Sequence, residues 1–369
     1  MEATPHLSTV EQLFAESGMA SSHVPVDPGL VSTRLEEDYG LVGALQPLAT
    51  EKDDTFRLRT IASEYLVKVS PPDEAATTVG FQTAAMRFLE RSAPELPVQR
   101  VRLSLDGRDN VVLHPGDDTV RVLRVFTFVE GALWTQASPD AARLAQLGEM
   151  LGRVDVALGA FAHPADRRGL VWDLRHFHRL TGLLEQTTDA RQRQLAEEVF
   201  RLYERVVVPN LDDLEMQVIH GDYSPFNVVV DEHGDDYVAG VIDFGDAVRS
   251  AVIFDPAVAM ANLVGRSPEH PWRDACAFVA GYESARPIRD QELSLLPVAA
   301  VARLALRGLI TNWRAERVPA RREYLLSHAK DDWVNVERAL SVSVAEVVAN
   351  LRPEREVTSR RAESGSIWS

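Results

Sequence analysis

The stretch HGDYSPFNVVV, residues 220–230, places a histidine, an aspartate and an asparagine directly before three valines. The valines and the later run YVAGVIDF, residues 237–244, are β-type segments separated by the polar turn DEHGDD. An antiparallel hairpin places the start of its first strand beside the end of its second strand. The pattern therefore predicts that Asn227 and Asp243 lie together, with Asp222 in the loop that enters the hairpin.

The residue types at this predicted rim are those that phosphoryl transfer needs. Oxygens of Asn227 and Asp243 suit a hard cation such as Mg²⁺, which prefers a few oxygen ligands, waters and substrate phosphates. A separate aspartate, Asp222, could orient or deprotonate a hydroxyl group. Nearby Asp246 could contact a second cation or cap the following turn. Taken alone, the cluster could also be a capped turn, in which Asp and Asn are common.

A lysine stands inside an otherwise apolar strand, EYLVKVS, residues 64–70. The chain has only three lysines, Lys52, Lys68 and Lys330, so arginine supplies most of its positive charge. In a kinase-type arrangement, a strand lysine such as Lys68 reaches the α and β phosphates of a nucleotide. The turn ATEKDDT, residues 49–55, would cover these phosphates. The alternative for Lys68 is a strand lysine whose ammonium group reaches solvent.

The distribution of apolar residues divides the chain into regions. Residues 41–130 contain short β-type runs and one amphipathic helix, which predicts an antiparallel sheet carrying a helix, with Asp106-Gly107 as a hairpin turn. From about residue 138 the periodicity is helical, with Ser138 as the expected N-cap. The predicted class is α+β, with four regions: a helical N-terminal extension (1–40), a small antiparallel lobe (41–130), a larger helical lobe carrying the hairpin (131–352) and a flexible tail (353–369).

Composition limits the class of protein. The 369 residues are 45% hydrophobic, which allows a sizeable core. The net charge of −16 disfavours nucleic acid as a partner, since phosphate backbones are bound by Lys and Arg. One cysteine, Cys276, excludes an intrachain disulfide. Without a secretory pattern at the N-terminus or an uncharged apolar stretch of about 18 residues, we expect a cytoplasmic protein without a membrane partner.

HGDYSPFN followed by GVIDFGD resembles the aminoglycoside phosphotransferase superfamily, the small-molecule branch of the protein-kinase-like fold. Within it, the sequence is most similar to hydroxylysine kinase and related amino-alcohol kinases. The resemblance spans roughly residues 40–345 and includes further segments in the same order: EYLVKVS, FQTAAMRFLE, VWDLRHF, GVIDFGDAVRSAVIFDPAVAMA and REYLLSHAKDDW. It implies a two-lobed fold with a β-rich N-lobe that binds a nucleotide and a mainly helical C-lobe.

The resemblance also implies roles for the residues of the hairpin. Asp222 would face the substrate hydroxyl, Asn227 and Asp243 would hold Mg²⁺, and His220 would brace the catalytic loop. Asp255 would steady that loop from the following helix, and it could also cap this helix, with Pro256 at the first helical position.

In the N-lobe, the resemblance implies that Lys68 contacts the nucleotide phosphates and that FTFVEG, residues 126–131 and including Phe128 and Glu130, meets the purine. Two features depart from the family pattern. The turn ATEKDDT has no glycine or asparagine, and the usual helix glutamate that partners the lysine is replaced by Gly80 or Gln82. Glu74 is the nearest upstream alternative, and the sequence leaves open whether Lys68 has an acidic partner at all.

We therefore expect a kinase that transfers the γ-phosphoryl group of ATP or GTP to the hydroxyl of an amine-bearing substrate such as hydroxylysine or a related amino alcohol, with Mg²⁺ as cofactor. Aminoglycoside, homoserine or choline phosphotransferases of the same fold are alternatives, and a non-catalytic nucleotide-binding module is another. Trp172 and Asp173 could line the substrate site or be a core tryptophan beside a helix cap.

Overall fold

The computed structural model describes residues 9–18, 25–50, 52–116, 119–317 and 322–352. These residues form two compact units that interleave along the chain. The first unit comprises the described residues within Met1–Ala137, Ala157–Val171 and Gln217–Arg249. The second comprises those within Ser138–Val156, Trp172–Met216 and Ser250–Ser369. The hairpin at 228–241 groups with the N-terminal sheet in this division. The continuous region boundaries expected from the sequence stay a prediction, and the tail 353–369 lies outside the described residues.

The main sheet of the first unit is antiparallel, with strands in the order β1-β2-β3-β6-β4, while β5 also pairs with β6. Its strands are β1 (Ala44–Leu48), β2 (Asp54–Arg59), β3 (Glu64–Val69), β4 (Val101–Arg102), β5 (Val111–Leu113) and β6 (Arg121–Thr127). Three helices belong to the same unit: α1 (Thr9–Glu16), α2 (Pro28–Tyr39) and α3 (Ala76–Ser92). The predicted antiparallel sheet with a helix is confirmed.

The predicted hairpin at Asp106-Gly107 is wrong. A tight turn does form, because Gly107 has a φ of 81° and its N–H donates to the Ser104 carbonyl at 2.9 Å. However, β4 and β5 pair with β6, Val101 opposite Phe126 and Val111 opposite Leu123, and not with each other. Strand β3 occupies the other edge of β6, so β4 and β5 follow one another along the same edge of one long strand.

The N-terminal helix α2 belongs to the core of the first unit. Asp27 caps it by accepting from the Gly29 N–H at 3.0 Å, and Pro28 occupies the first turn. Its buried residues Val31, Leu35 and Tyr39 recur every four positions and therefore share one face of the helix. That face packs in one hydrophobic cluster with apolar side chains of the sheet, namely Phe56, Leu58, Val67, Val69, Val111, Leu113, Leu123 and Val125.

A second, three-stranded sheet carries the hairpin expected from the sequence. Its strands run in the order β10-β9-β7, with β7 at Ala132–Leu133, β9 at Val228–Val230 and β10 at Val238–Val241. Val228 pairs with Val241, and a bulge lies between Val238 and Gly240. The predicted hairpin and its turn are confirmed, whereas the contribution of β7 was not expected. Strands β8 (Met216–Ile219) and β11 (Val248–Ala251) form a separate pair.

The second unit is mainly helical. Its α-helices are α4 (Ala141–Leu158), α5 (Ala190–Val206), α6 (Phe254–Ala261), α7 (Arg273–Ala285), α8 (Asp290–Leu293), α9 (Leu295–Arg317), α10 (Arg322–Leu340) and α11 (Val344–Leu351). The expected N-cap Ser138 is wrong, because Asp140 accepts from the Arg143 N–H at 2.9 Å and caps α4. Helix α9 is buried along most of its length.

One helical stretch, Asp290–Arg317, is long and apolar enough to cross a membrane by composition. Of its most apolar window, 89% is buried within the protein, as in the central helix of a folded core. The α+β class predicted from the sequence is confirmed.

Replacing Leu35 tests whether α2 is part of the sheet's core. Because Leu35 is only 1% exposed, we expect Leu35→Ala to lower the free energy of unfolding by about 2–5 kcal/mol, from lost burial and the cavity left behind. Chemical denaturation measures this loss. Glu36→Ala, at an exposed position of the same helix, is the matched control and should change stability by less than about 0.5 kcal/mol. Equal effects of the two variants would contradict the packing.

Candidate active site

The loop of residues 220–227 and the hairpin that follows it bring Asp222, Asn227 and Asp243 together within the first unit. The Asn227 side-chain amide donates to the Asp222 Oδ2 atom at 2.7 Å and to the Asp222 carbonyl at 3.0 Å. The Ile242 N–H donates to the Asn227 carbonyl at 3.0 Å, which places the residue before Asp243 directly beside Asn227. The convergence predicted from the hairpin is therefore confirmed. Because the side-chain nitrogen of Asn227 donates to Asp222, the side-chain oxygen Oδ1 is the atom that remains for a ligand.

His220 connects the loop of residues 220–227 to the residue after β10. Its Nδ1 atom accepts from the Asp222 N–H at 3.3 Å, so Nε2 carries the hydrogen that bonds the Ile242 carbonyl at 3.1 Å. The imidazole is fully buried and packs against the Phe244 ring, with centroids 4.6 Å apart. The next residue, Gly221, has a φ of 78°, and a Cβ there would lie 2.4 Å from the Asp246 carbonyl. Glycine is therefore required at this position of the loop.

Asp243 has a strained backbone. Among the residues that the structure describes, it is the one non-glycine residue with a positive φ, 62°. Such a conformation costs on the order of 1–3 kcal/mol and persists where the surroundings enforce it, often at functional sites. Asp243 Oδ1 accepts from the Gly245 N–H at 3.1 Å, and Oδ2 lies 2.8 Å from Lys68 Nζ. The strained turn thus directs the carboxylate toward the main sheet.

Lys68 lies on β3 with its side chain 10% exposed and pairs with two carboxylates, Asp243 at 2.8 Å and Asp53 at 3.5 Å. Burial favours the neutral amine, but the two carboxylates outweigh it and raise the pKa of Lys68. Desolvation also opposes ionisation of Asp243, yet the Lys68 ammonium prevails and lowers the pKa of Asp243 to about 2. Both groups are therefore charged at neutral pH.

The sequence left the acidic partner of Lys68 open between Glu74 and none, and both alternatives are wrong. Glu74 instead pairs with Lys52 at 2.8 Å. The partner within the N-terminal sheet is Asp53, from the turn between β1 and β2, which sequence reasoning missed. A signal was present: Thr55 lies opposite Lys68 in the β2–β3 ladder, so an acid just before β2 is within reach of the lysine.

Gln82 takes the place of the expected helix acid on α3. Its Oε1 atom accepts from Arg124 at 2.7 Å, and its Nε2 atom donates to the Gly245 carbonyl at 3.0 Å. Arg124 lies on β6 directly opposite Lys68 and reaches Asp53 at 3.2 Å. Arg168 also donates to the Gly245 carbonyl and, at 3.1 Å, to the Ala247 carbonyl. The loop after Asp243 is thus held by a glutamine and an arginine that the sequence did not single out.

Three further residues were expected at the site: Phe128, Glu130 and Asp246. Phe128 follows β6; its N–H donates to the Glu64 carbonyl at 3.3 Å, and the Arg57 guanidinium lies 4.1 Å from its ring centroid. Glu130 is exposed in the same segment. Asp246 is partly buried. Burial lowers the pKa of Arg168, and the nearby Asp246 carboxylate opposes this shift. The proposed contact of Phe128 and Glu130 with a purine stays a prediction.

Asp255 does not cap α6, contrary to one expectation. The helix begins at Phe254, its N-cap residue is Ile253, and that residue makes no side-chain cap hydrogen bond. The fully buried Asp255 instead faces Asp155 of α4, to which Tyr282 donates at 2.7 Å. Burial and the neighbouring Asp255 charge raise the pKa of Asp155 well above its ordinary value. The two carboxyls form a hydrogen-bonded pair within the second unit.

Asp173 caps a helical turn, which was one of the two alternatives that the sequence left open for it. It accepts from the Arg175 N–H at 3.1 Å at the start of the 3₁₀ turn Leu174–Arg179, and Ser250 donates to it at 2.6 Å. Trp172 lies beneath the Arg303 guanidinium at 4.3 Å from its ring centroid. A role of either residue in substrate binding remains a prediction.

Comparison with known proteins assigns the chain to a family. A sequence profile described as the phosphotransferase enzyme family matches residues 44–290, about two thirds of the chain. The chain belongs to this family. It is thereby a small-molecule phosphotransferase that acts on hydroxyl groups, which decides against a non-catalytic module. The family resemblance inferred from HGDYSPFN and GVIDFGD is confirmed.

Individual relatives agree with the family. Hydroxylysine kinase of Mus musculus is 23% identical over 336 residues, covering 83% of this chain and 87% of that protein. Homoserine kinase of Rhodospirillum rubrum is 32% identical over 252 residues, covering 68% and 72%. Amicoumacin kinase, solved in complex with AMP-PNP, Ca²⁺ and Ami, superimposes with a TM-score of 0.65 at 16% identity, covering 86% of this chain and 95% of that one. The protein-kinase-like fold is therefore confirmed.

Replacing Gln82 by the acid usual in this family tests the altered network. In the native protein the Gln82 amide donates to the Gly245 carbonyl and to Glu74. In Gln82→Glu a carboxylate oxygen, which cannot donate, would face these two acceptors. We expect a loss of about 1–3 kcal/mol in the free energy of unfolding, because buried acceptors would lose their donor. Gly80→Glu is the matched control, since a side chain at Gly80 meets open space. It should be neutral or stabilising by up to about 1 kcal/mol. A Gln82→Glu protein as stable as Gly80→Glu would contradict the assigned hydrogen bonds.

Proposed function

We propose that this phosphotransferase moves the γ-phosphoryl group of ATP or GTP to the hydroxyl of a small amine-bearing molecule, hydroxylysine or a related amino alcohol. The observation that carries the proposal is the grouping of Asp222, Asn227, Asp243 and Lys68 in one unit, with Asn227 bonded to Asp222 at 2.7 Å and Lys68 to Asp243 at 2.8 Å. These are the parts that phosphoryl transfer needs: a residue for the hydroxyl, cation ligands and a phosphate-binding lysine.

Asp222 is the proposed catalytic residue. Its carboxylate is partly exposed and its orientation is fixed by the Asn227 amide and the Ser224 hydroxyl at 3.4 Å. Held in this way, Asp222 would align the acceptor hydroxyl and take its proton as the phosphoryl group is transferred. Preorientation matters because positioning supplies most of the rate enhancement in phosphoryl transfer.

The residues present fit a divalent cation, and Mg²⁺ suits them best. The carbonyl oxygen of Asn227 and the carboxylate of Asp243 are hard oxygen donors, and the carboxylate retains lone pairs beyond its bonds to Gly245 and Lys68. Among the described residues, no group of three or more His, Cys, Asp or Glu side chains is placed to hold a metal. A cation here would therefore depend on Asn227 and on oxygens of the nucleotide phosphates and of water, as well as on Asp243. When bound, it would offset negative charge on the phosphoryl oxygens.

Lys68 would contact the nucleotide phosphates, and the turn before β2 would cover them. The ammonium is held in the sheet between Asp53 and Asp243, and the carboxylates that raise its pKa keep it protonated at neutral pH. The AMP-PNP and Ca²⁺ named in the amicoumacin kinase structure support a nucleotide donor and a divalent cation for this chain as well.

Asp222→Asn tests the catalytic assignment. Without a base for the hydroxyl proton, we expect kcat to fall by about 10²–10⁴-fold. The Kd for the nucleotide, measured by calorimetry, should stay within about twofold, because no phosphate contact is assigned to Asp222. Asp235→Asn removes the same charge from the exposed turn of the same hairpin and is the matched control. Turnover of Asp222→Asn at the level of Asp235→Asn would refute the role of Asp222.

A substrate panel tests the acceptor class. Release of ADP or GDP should be measured with hydroxylysine, homoserine, choline, simple amino alcohols and an aminoglycoside, each with ATP and with GTP. We expect the highest kcat/KM with a small amino-bearing alcohol, and product formation by Asp222→Asn that is lower by about 10²-fold or more. Homoserine is the second candidate, favoured by the 32% identity to a homoserine kinase. Preference for choline or for an aminoglycoside would contradict the proposed acceptor.

A further inference from the structure

Helix α3 offers no acid to the strand lysine. The helix has the sequence ATTVGFQTAAMRFLERS, in which the only acid, Glu90, pairs with Arg87 three residues earlier. The side chain of α3 that points into the polar network is the neutral Gln82, which is 3% exposed. Lys68 is nevertheless buried and charged, and a buried ammonium is stable only when it is paired. Its compensation must come from elsewhere in the unit.

Asp53 supplies this compensation from the turn between β1 and β2. Its Oδ2 atom lies 3.5 Å from Lys68 Nζ and 3.2 Å from an Arg124 guanidinium nitrogen. The side chains are 12% exposed for Asp53, 10% for Lys68 and 4% for Arg124. Lys68 and Arg124 are direct cross-strand neighbours on β3 and β6, so their charges repel at close range. One carboxylate oxygen between them offsets that repulsion.

Asp243 is the nearer carboxylate, at 2.8 Å from Lys68, but it has other partners as well. Asp243 also accepts from the Gly245 N–H and is the proposed ligand of the cation. Asp53 Oδ1 is buried and makes no hydrogen bond to the described residues, so its charge is compensated through Oδ2 by the two cations. The Asp53 carbonyl accepts from the Thr50 hydroxyl at 2.6 Å, which fixes the turn from which the carboxylate extends.

The network also links Asp53 to the loop of Asp243. Arg124 uses one guanidinium nitrogen for Asp53 and the other for Gln82 Oε1, at 2.7 Å. Gln82 in turn donates to the Gly245 carbonyl at 3.0 Å, two residues after Asp243. A chain of hydrogen bonds thus runs from the turn before β2, through β6 and α3, to the proposed cation ligand.

We propose that Asp53 is the positioning residue of Lys68, and that it performs from the phosphate-covering turn the task that a helix glutamate performs elsewhere in the family. The proposal rests on the proposed function, in which Lys68 contacts the nucleotide phosphates. It makes the segment that carries Asp53, just before β2, part of the support of Lys68. One segment would then both cover the phosphates and orient the ammonium group that binds them.

Asp53→Asn is the principal test, with kinetics and lysine NMR as two readouts. We expect nucleotide kcat/KM to fall by about tenfold or more, since Lys68 would lose a buried partner, while the acceptor KM stays within about twofold. Asp53→Glu keeps the charge and should recover most of the activity. Asp109→Asn, with a side chain 45% exposed in the same unit, is the matched control for loss of one negative charge. Unchanged or tighter nucleotide binding in Asp53→Asn, with the NMR signal of Lys68 also unmoved, would overturn the proposal.

The second readout follows the lysine itself. The chain has only three lysines, so incorporation of ¹³C-labelled lysine yields three Cε signals, and Lys68→Arg assigns one of them by its loss. Because Asp53 Oδ2 lies 3.5 Å from Lys68 Nζ, Asp53→Asn should shift that signal, and Asp109→Asn should not. An unmoved signal would refute the pairing. A shifted signal with unchanged nucleotide kinetics would uphold the pairing and refute the proposed contact of Lys68 with phosphates. Should Asp53→Asn fail to fold, Asp53→Ser and Asp53→Glu provide the same comparison.

Discussion

The ion pair between Lys68 and Asp243 is the contact on which the site depends. It joins the main sheet to the end of the hairpin, and it requires two costly features at once: an ammonium buried within a sheet and an aspartate in a left-handed backbone conformation. Neither is stable alone, because an isolated buried charge is strongly disfavoured and a non-glycine positive φ is strained. Each is tolerated because the surroundings supply the other charge and the hydrogen bonds that fix the turn.

Two residues surround this pair where a kinase-like site commonly has one glutamate on a helix. Where a single helix glutamate would serve, the chain uses Asp53 for the charge and Gln82 for the link to α3. The neutral amide can both accept from Arg124 and donate to the Gly245 carbonyl, which a carboxylate cannot do. The substitution of Gln for Glu on α3 is thus physically consistent with the second cation, Arg124, opposite Lys68 in the sheet.

Much of the site followed from local rules in the sequence. The meeting of Asn227 and Asp243 depends on hairpin pairing alone, which residues 227–243 specify among themselves. The partner of Lys68 could not be found in that way, because Asp53 reaches it through the registers of β2, β3 and β6. The same limitation explains the error at Asp106-Gly107, where pairing with the distant β6 prevailed over a local hairpin. The cap expected at Asp255 was wrong for the same reason, since its neighbour Asp155 lies a hundred residues earlier.

The packing of α2 against the sheet has a consequence for how the chain acquires its structure. The apolar face of α2, from Val31 to Tyr39, is completed by Leu123 and Val125, roughly ninety residues later. At typical elongation rates those residues emerge from the ribosome on the order of 5–20 s after the helix does. During that interval the apolar face of α2 can meet only the earlier members of the cluster, such as Phe56 and Val67. The core around α2 is therefore complete only after β6 has been synthesised, long after the helix itself.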